Sequence, residues 1–262
     1  MSNRIKVIVN GACGRMGTET VKAVSAVEDM ELVGVCDVTN VGVSFADVTG
    51  VSAGDLSIND DLAGLIGDTR PDAVVDFTSP TSVMANARTI LEAGVPAIIG
   101  TTGITPDGLK ELEELANSKS TSVIVAPNFA VGAVLMMKFA AEAAKHMATA
   151  EIIELHHDKK LDSPSGTALK TAEMISAAKG TDGVQQTGGG PGREFEYQNV
   201  RVHSVRLPGL VAHQEVVFGG QGQTLTIRHD SIDRTSFMPG VLLAIRKSQQ
   251  VKGLIYGLEK LL

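Results

Sequence analysis

A cluster of titratable side chains lies directly before a predicted helix start in the second half of the chain. Residues 151–168 read EIIELHHDKKLDSPSGTA. The alternation over residues 151–155 predicts a half-buried strand, and Pro164 with Ser165 predicts the entry of a helix. Rigid scaffolds usually present catalytic groups on such strand-to-helix connections. This connection holds four basic side chains, His156, His157, Lys159 and Lys160.

These residue types suit the protonation of a small anion. The start of a helix leaves backbone N–H groups without intrahelical partners, and the aligned peptide dipoles favour an anion there. Gly166 and Thr167 stand at the predicted start, so they are candidates to hold a carboxylate. Lysine adds a mobile cation, and histidine exchanges a proton near neutral pH. The alternative is a solvated, capped loop whose histidines only pack; the gathering of all these groups favours a functional site.

A glycine turn near the N-terminus predicts a dinucleotide site. Residues 5–10 form a β-branched run, Gly11, Gly14 and Gly17 follow, and an amphipathic stretch continues to about Val27. A second apolar run, 31–36, ends at Asp37. In a dinucleotide-binding unit the glycines admit a pyrophosphate at the helix start, and the carboxylate binds ribose hydroxyls. The spacing is GxxGxxG rather than the commoner GxGxxG, and such turns also occur for packing alone, but the strand, helix and acidic residue around it favour nucleotide binding.

Strands and helices continue to alternate through the first half of the chain. The predicted strands are 72–77, 96–100 and 122–127, and the predicted helices are 81–93, 106–118 and 132–146. This alternation predicts an α/β fold with a Rossmann-type, doubly wound parallel sheet. Polar or glycine-rich loops start at 77, 100 and 126, at the carboxyl ends of the strands. Because ligands bind at that edge of an open parallel sheet, we expect the three loops to converge on a cofactor.

The pattern changes near residues 127–132, where we place a domain crossing. A helix over 167–178 and a glycine-rich surface loop over 180–192 are followed by strands at 199–207, 212–218 and 223–229. Successive strands predict a second α+β domain with a mixed or antiparallel sheet. A helix over 239–249 and an apolar tail over 253–262 are expected to return to the first domain. The predicted domains are therefore 1–128 with 239–262 for dinucleotide binding, and 129–238 for substrate binding and oligomerisation.

Composition argues against several other classes of protein. The 262 residues carry a net charge of −7 without a basic block, which argues against nucleic-acid or membrane-surface partners. No apolar run is long enough to cross a bilayer, and the N-terminus lacks the pattern of a secretory signal, so we expect a cytoplasmic protein. Cys13 and Cys36 give no disulfide framework. We expect no metal site, because adjacent His156 and His157 would project to opposite sides of an extended chain.

Several segments together resemble one known family, the dihydrodipicolinate reductases of bacterial lysine and diaminopimelate synthesis. The likeness covers essentially the whole chain. Its strongest part runs from Glu151 through His156 and Lys160 to the PSGTA segment at 164–168. Further similar segments are Gly11 to Gly17, Asp76-Phe77-Thr78, 100–103, 126–129 and the RVHSVR segment at 201–206.

The resemblance implies an NAD(P)H-dependent reduction of 4-hydroxy-tetrahydrodipicolinate to tetrahydrodipicolinate by a homotetramer assembled through the second-domain sheets. It implies His156 as proton donor and acceptor and Lys160 as proton donor. The implied substrate-binding residues are His157, Lys160, Ser165, Gly166 and Thr167. The implied cofactor-binding residues are Gly11, Ala12, Cys13, Gly14, Arg15, Met16, Asp37, Phe77, Thr78, Gly100, Thr101, Thr102, Ala126, Pro127, Asn128 and Phe129. His203, His213 and His229 are interpreted as half-buried sheet residues.

Asp37 favours the free ribose hydroxyls of NADH and would repel a 2′-phosphate, so the sequence favours NADH with some use of NADPH through Arg15. Two other interpretations stay open. One is a different two-domain nicotinamide enzyme, such as an amino-acid or semialdehyde dehydrogenase, although no cysteine in the second half could serve an acylating type. The other is a sensor that binds NAD(H) without turnover, which would have no need of a proton donor beside an anion site.

Overall fold

The chain divides into two compact units. The computed structural model describes residues 4–180, 186–187, 194–197 and 199–262. Unit 1 contains the described residues up to Phe129 together with Phe237–Leu262, and unit 2 contains Ala130–Ser236. The first crossing lies one residue later than the sequence placed it, and the return lies two residues earlier.

Unit 1 contains a parallel six-stranded sheet in the order β12-β5-β4-β3-β1-β2. Its inner strands β3, β4 and β5 are fully buried, as expected for a sheet covered on both faces, while the edge strands β2 and β12 are partly exposed. The C-terminal strand β12 pairs with β5 in parallel register, so the apolar tail belongs to this sheet. The strands are β1 Ile5–Asn10, β2 Met30–Cys36, β3 Ala73–Asp76, β4 Ala97–Ile99, β5 Ser122–Val125 and β12 Gly253–Tyr256.

Helices cover both faces of this sheet. One layer packs α3, α4 and α5 on the face that includes Ile8, Val74 and Val123. On the other side, α1 and α8 pack against each other and against the sheet. The helices of unit 1 are α1 Arg15–Ser25, α2 Phe45–Thr49, α3 Leu62–Thr69, α4 Val83–Glu92, α5 Pro106–Ser118 and α8 Met238–Ser248.

Unit 2 contains a mixed six-stranded sheet in the order β11-β10-β6-β9-β8-β7. The central strand β6 pairs with β9 in parallel and with β10 in antiparallel register. The strands are β6 Thr149–His156, β7 Gln186–Thr187, β8 Glu194–Tyr197, β9 Val200–Arg206, β10 Ala212–Gly220 and β11 Gln223–Ser231.

Two helices, α6 Val131–Ala144 and α7 Gly166–Ala178, pack on one face of the second sheet. Burial alternates along β6, β9 and β10, because every second side chain faces the helices. Ile152, Glu154, Val202 and Val216 are buried in this way. The opposite face carries half-buried and exposed side chains, and no helix of the described ranges packs on it.

The predicted fold class is confirmed: a Rossmann-type parallel sheet and a second unit with a mixed sheet. The sequence missed α2, α3, β7 and β8, and it predicted the segment that forms β12 only as an apolar tail. It placed His156 on a connecting loop, whereas His156 is the last residue of β6, because its backbone pairs with both neighbouring strands. Of the predicted loop 180–192, the structure describes Gly180 and β7, and the rest lies outside the described residues. Within the described ranges, no helix is long and apolar enough to cross a membrane.

Candidate active site

Close backbone approaches explain the glycine turn after β1. Gly11 has φ +76°, and a Cβ there would collide with the carbonyl oxygen of Phe77. A Cβ at Gly17 would collide with the carbonyl oxygen of Gly11. Gly14 is the N-cap of α1 and has no side-chain cap, while its own N–H donates to Gly11 O at 3.1 Å. The turn therefore brings the start of α1, with Arg15 and Met16 in its first turn, directly against the sheet edge.

The carboxylate of Asp37 lies against this turn. Its Oδ2 accepts a hydrogen bond from the backbone N–H of Cys13 at 2.9 Å, and its Oδ1 accepts from the N–H and hydroxyl of Thr39 at 3.0 and 2.8 Å. These donors fix the carboxylate beside the helix start, which is the place predicted for ribose recognition. The two cysteines are not activated: burial raises the pKa of the Cys36 thiol to about 12, and it also raises the pKa of Cys13.

A second carboxylate, Asp76, connects the ends of three strands and α4. It is 1% exposed. Its Oδ1 accepts from the hydroxyls of Thr78 and Thr101 at 2.8 and 2.7 Å and from the N–H of Thr78 at 3.2 Å. Its Oδ2 accepts from the side-chain amides of Asn10 and Asn86 at 2.8 and 2.9 Å. All five of these donors are neutral.

The three predicted loops at the carboxyl edge do come together. The N–H of Thr78 donates to the Thr101 hydroxyl at 2.8 Å, which joins the first loop to the second. The ring of Phe77 lies edge-on to that of Phe129, with centroids 5.8 Å apart, which joins the first loop to the third. Gly100 leaves room for the Phe77 ring, because a Cβ at Gly100 would overlap it.

A cavity of about 430 Å³ lies at this edge of unit 1. It includes six of the predicted cofactor residues, Gly11, Cys13, Gly14, Asp37, Phe77 and Thr78. The other predicted cofactor residues are not part of its lining as far as the structure describes the chain. The lining also includes residues that the sequence did not assign: Asn10, Cys36, Val38, Thr39, Asp60, Leu62, Ser79, Ser82 and Asn86. A glycine cradle at a helix start and a fixed carboxylate fit a dinucleotide.

In unit 2 the end of β6 gathers charged groups. Glu154 is 0% exposed, and its Oε2 lies 2.5 Å from Nδ1 of His156. Two nitrogens of Arg206 donate to the two oxygens of Glu154 at 2.8 and 2.7 Å. Parallel pairing of β6 with β9 creates this contact, because it sets His156 opposite Arg206. Burial would raise the pKa of Glu154, but the hydrogen bonds from His156 and Arg206 outweigh it and hold this pKa at about 2.

The loop after β6 carries the remaining predicted residues. Nζ of Lys160 lies 2.7 Å from Oδ1 of Asp162, and its side chain is 22% exposed. Burial tends to raise the pKa of Asp162, but the hydrogen bond from Lys160 lowers it overall. His157 is half-buried, and its carbonyl accepts from the N–H of Lys160 at 3.2 Å.

The helix start predicted to bind a carboxylate has the expected form. Ser165 is the N-cap of α7, and its hydroxyl accepts from the N–H of Ala168 at 3.2 Å. Gly166 and Thr167 are the first two residues of the helix. Gly166 is exposed, and a Cβ there would meet nothing within 4 Å. The structure thus brings His156, Lys160 and the start of α7 into one region of unit 2.

Comparisons with known proteins identify the family. The family model for the N-terminus of dihydrodipicolinate reductase matches residues 5–129, and the model for its C-terminus matches residues 132–262. The chain belongs to the dihydrodipicolinate reductase family. Two proteins named 4-hydroxy-tetrahydrodipicolinate reductase, from Syntrophomonas wolfei and Moorella thermoacetica, are both 51% identical to it. The matches cover 100% of both chains in the first case and 98% of both in the second.

Solved structures agree with this membership. A dipicolinate-bound dihydrodipicolinate reductase from Paenisporosarcina sp. TG-14 is 42% identical, with a TM-score of 0.85 over 99% of this chain and 100% of that one. An amine dehydrogenase from Mycobacterium smegmatis shares the fold, with a TM-score of 0.71 over 96% and 94% of the two chains at 15% identity. The reductase family is therefore a pyridine-nucleotide-dependent one built on a Rossmann domain.

The sequence alone did not predict a role for Asp76, Glu154 or Arg206. The spacing of Glu154 and His156 could have predicted that they lie on the same face, because residues two apart on a strand share a face. Asp76 could have been predicted as a site residue because it is an acidic residue at the end of a buried strand. Arg206 had no such local signal, because it reaches Glu154 from 52 residues away.

Proposed function

We propose that the protein reduces 4-hydroxy-tetrahydrodipicolinate to tetrahydrodipicolinate with NAD(P)H in bacterial lysine and diaminopimelate synthesis. The net reaction adds one hydride and one proton to the substrate and releases its hydroxyl as water. The observation that carries the proposal is the gathering of His156, Lys160 and the start of α7 at one end of β6, in a chain that belongs to the reductase family. The relative bound to dipicolinate supports a small dicarboxylate ligand.

The residues of unit 2 bind the substrate and move the proton in this proposal. The N–H groups of Gly166 and Thr167 and the hydroxyl of Ser165 hold one carboxylate at the helix start, where the peptide dipoles favour an anion. His157 and Lys160 also bind the substrate carboxylates in this proposal. His156 gives and takes the proton, and Lys160 donates a proton. Asp162 holds the Lys160 ammonium at 2.7 Å, so an incoming carboxylate finds a cation that is already oriented.

The residues of unit 1 hold the cofactor in this proposal. Gly11 to Met16 receive the pyrophosphate at the start of α1, and Asp37 binds the ribose hydroxyls. Phe77 and Thr78 line the nicotinamide end of the cavity, and the buried residues Thr101 and Phe129 support them from behind through the Thr78–Thr101 hydrogen bond and the Phe77–Phe129 ring contact. The bound cofactor supplies the hydride. The protein supplies the orientation of the reacting groups.

Asp37 makes NADH the preferred cofactor in this proposal. Its carboxylate repels a 2′-phosphate, and its contacts with Cys13 and Thr39 fix it in the cavity. Arg15 is exposed in the first turn of α1 and is the group available to accept a 2′-phosphate. We expect a higher kcat/KM with NADH than with NADPH, and a measurable rate with NADPH. A strong preference for NADPH would refute this assignment.

Turnover and ligand binding test the proposal. Loss of nicotinamide absorbance with freshly generated substrate distinguishes the enzyme from an NAD(H) sensor, which would bind the cofactor without consuming it. We expect His156→Gln to lower kcat by about 10²- to 10⁴-fold, the usual contribution of a general acid or base. Lys160→Ala should also weaken dipicolinate binding by about 10- to 100-fold, because a charge-assisted hydrogen bond is lost.

Glu142→Gln is the matched control for these variants. Glu142 is an exposed carboxylate of α6 that pairs with Lys145, so its loss should leave kcat and dipicolinate affinity unchanged. If His156→Gln lowers turnover no more than Glu142→Gln does, the role of His156 is wrong.

The uncovered face of the unit 2 sheet is the proposed site of assembly into a homotetramer. It presents apolar side chains such as Ile153, Leu155 and Val217 between charged ones. Sedimentation velocity of the purified protein should give four times the chain mass, and a monomer at micromolar concentration would refute this assembly. The proposed enzyme acts in the cytoplasm.

A further inference from the structure

Glu154 lies behind His156 on the same face of β6. Nδ1 of His156 is 2.5 Å from Oε2 of Glu154. The carboxylate is 0% exposed, and the imidazole is 14% exposed. We propose that Glu154 is the positioning residue for His156, which holds the imidazole with its proton on Nδ1 and leaves Nε2 for proton transfer. The inference rests on the proposed role of His156 as proton donor and acceptor.

The ionisation of Glu154 decides where the imidazole proton sits. Hydrogen bonds from His156 and Arg206 overcome the effect of burial and hold the pKa of Glu154 at about 2, so the carboxyl is ionised at neutral pH. An ionised carboxylate only accepts hydrogen bonds, so the proton in the short contact belongs to Nδ1 of His156. A neutral imidazole carries one proton. Nε2 is therefore the nitrogen that can take a proton and return it.

Glu154 is itself held in place from several directions. Arg206 donates hydrogen bonds to both carboxylate oxygens of Glu154. It also donates to the carbonyl of Asp162 at 2.7 Å. The N–H of Ser165, the N-cap of α7, donates to Oε1 of Glu154 at 3.2 Å. Glu154 therefore contacts His156, which directly precedes the loop 157–165, and also Ser165, the last residue of that loop and the N-cap of α7. A group fixed in this way can hold the imidazole within the narrow range of orientations that proton transfer requires.

A purely structural role predicts a different result. If Glu154 served only to neutralise Arg206, its loss would lower stability and would reduce turnover by the same factor whether or not His156 were present. A positioning role acts through His156 alone. Its loss must therefore have no effect on turnover once His156 is gone, which makes a double-mutant cycle on kcat the deciding measurement.

The cycle uses Glu154→Gln, His156→Gln and the double variant, with Glu142→Gln as control. We expect Glu154→Gln to lower kcat by about 10- to 100-fold, in the range found for groups that orient a functional histidine. The affinities for dipicolinate and NADH, measured by calorimetry on the folded protein, should change less than threefold. In the His156→Gln background the same substitution should change kcat less than twofold. An equal loss of kcat in both backgrounds would overturn the inference.

Glu154→Asp keeps the test decisive if the glutamine variant does not fold. Aspartate retains the negative charge beside Arg206, but it is one methylene shorter and withdraws from Nδ1. We expect it to lower kcat in the parent and to have no effect in the His156→Gln background. If His156→Gln itself leaves kcat unchanged, the proposed function of His156 fails. If His156→Gln lowers kcat while Glu154→Gln and Glu154→Asp do not, only the positioning inference fails.

Discussion

Asp76 in unit 1 and Glu154 in unit 2 are both buried carboxylates, at 1% and 0% exposure, and both lie at the end of a strand beside a candidate site. Their partners differ in kind. Asp76 accepts from two hydroxyls, two side-chain amides and a backbone N–H, all of them neutral. Glu154 accepts from a guanidinium, an imidazole and a backbone N–H.

The difference corresponds to the tasks proposed for the two units. A cofactor site must keep its shape while it binds and releases a dinucleotide, and a carboxylate that holds neutral groups fixes the ends of three strands without adding a mobile charge. A proton-transfer site needs a group whose charge changes during the reaction. A carboxylate in contact with that group, and balanced by a permanent cation, keeps it oriented in either state.

The largest effect that we expect is the loss of stability on removing Arg206, the permanent cation beside Glu154. Arg206→Met leaves Glu154 charged, buried and without its bidentate partner, which should cost about 3–5 kcal/mol of the free energy of unfolding. Asn86→Leu removes one neutral donor from Asp76 and should cost less, about 1–3 kcal/mol. Urea unfolding at pH 7 compares the two. Equal losses would show that the charge of the partner does not matter.

The difference in stability between the wild type and Glu154→Gln should depend on pH. The pKa of Glu154 is about 2 in the folded protein, below its ordinary 4.5. The stability that its ionisation contributes is therefore fully present above about pH 4.5 and is lost as the pH falls towards 2. Its size is on the order of 3 kcal/mol. The stability difference between wild type and Glu154→Gln should shrink over this range in urea unfolding; a constant difference would contradict the prediction.

The elements predicted well are those whose signals are local. The helix predicted at 106–118 coincides with α5, because Thr105 caps the N–H of Gly108, Pro106 opens the helix and apolar residues line one face. The missed helix α3 carries Gly64 and Gly67 within eight residues, which lowers its helix propensity, although Asp61 caps it at 2.9 Å. The missed strands β7 and β8 are short and flank a glycine-rich segment of the sequence.

The sequence predicted the site residues that lie in one continuous segment of the chain. His156, Lys160, Ser165 and the start of α7 lie within 11 residues, so their neighbourhood follows from sequence. Arg206 reaches Glu154 only because β9 pairs in parallel with β6 and in one register. Register between strands depends on packing of the whole sheet, and the sequence of either strand alone does not determine it.

The smallest effect expected concerns a single neutral donor of the unit 1 network. The Thr101 hydroxyl donates to Asp76 at 2.7 Å and accepts from the N–H of Thr78, so Thr101→Val removes both contacts while preserving shape. We expect a loss of about 1–2 kcal/mol in urea unfolding, at the lower end of the cost of removing a donor from a buried acceptor, because the N–H of Thr78 still donates to Asp76. The KM for the cofactor should rise a few-fold, and kcat should stay unchanged, because the donor shapes the binding loops and takes no part in proton transfer.

Thr89→Val is the matched control for that substitution. The Thr89 hydroxyl donates to the carbonyl of Ala85 within α4, away from the strand ends, and should change stability by less than about 0.5 kcal/mol. A fall in kcat without a change in cofactor KM in Thr101→Val would remove the distinction between the two networks. It would mean that the neutral network of unit 1 acts on the chemical step, as the charged network of unit 2 is proposed to do.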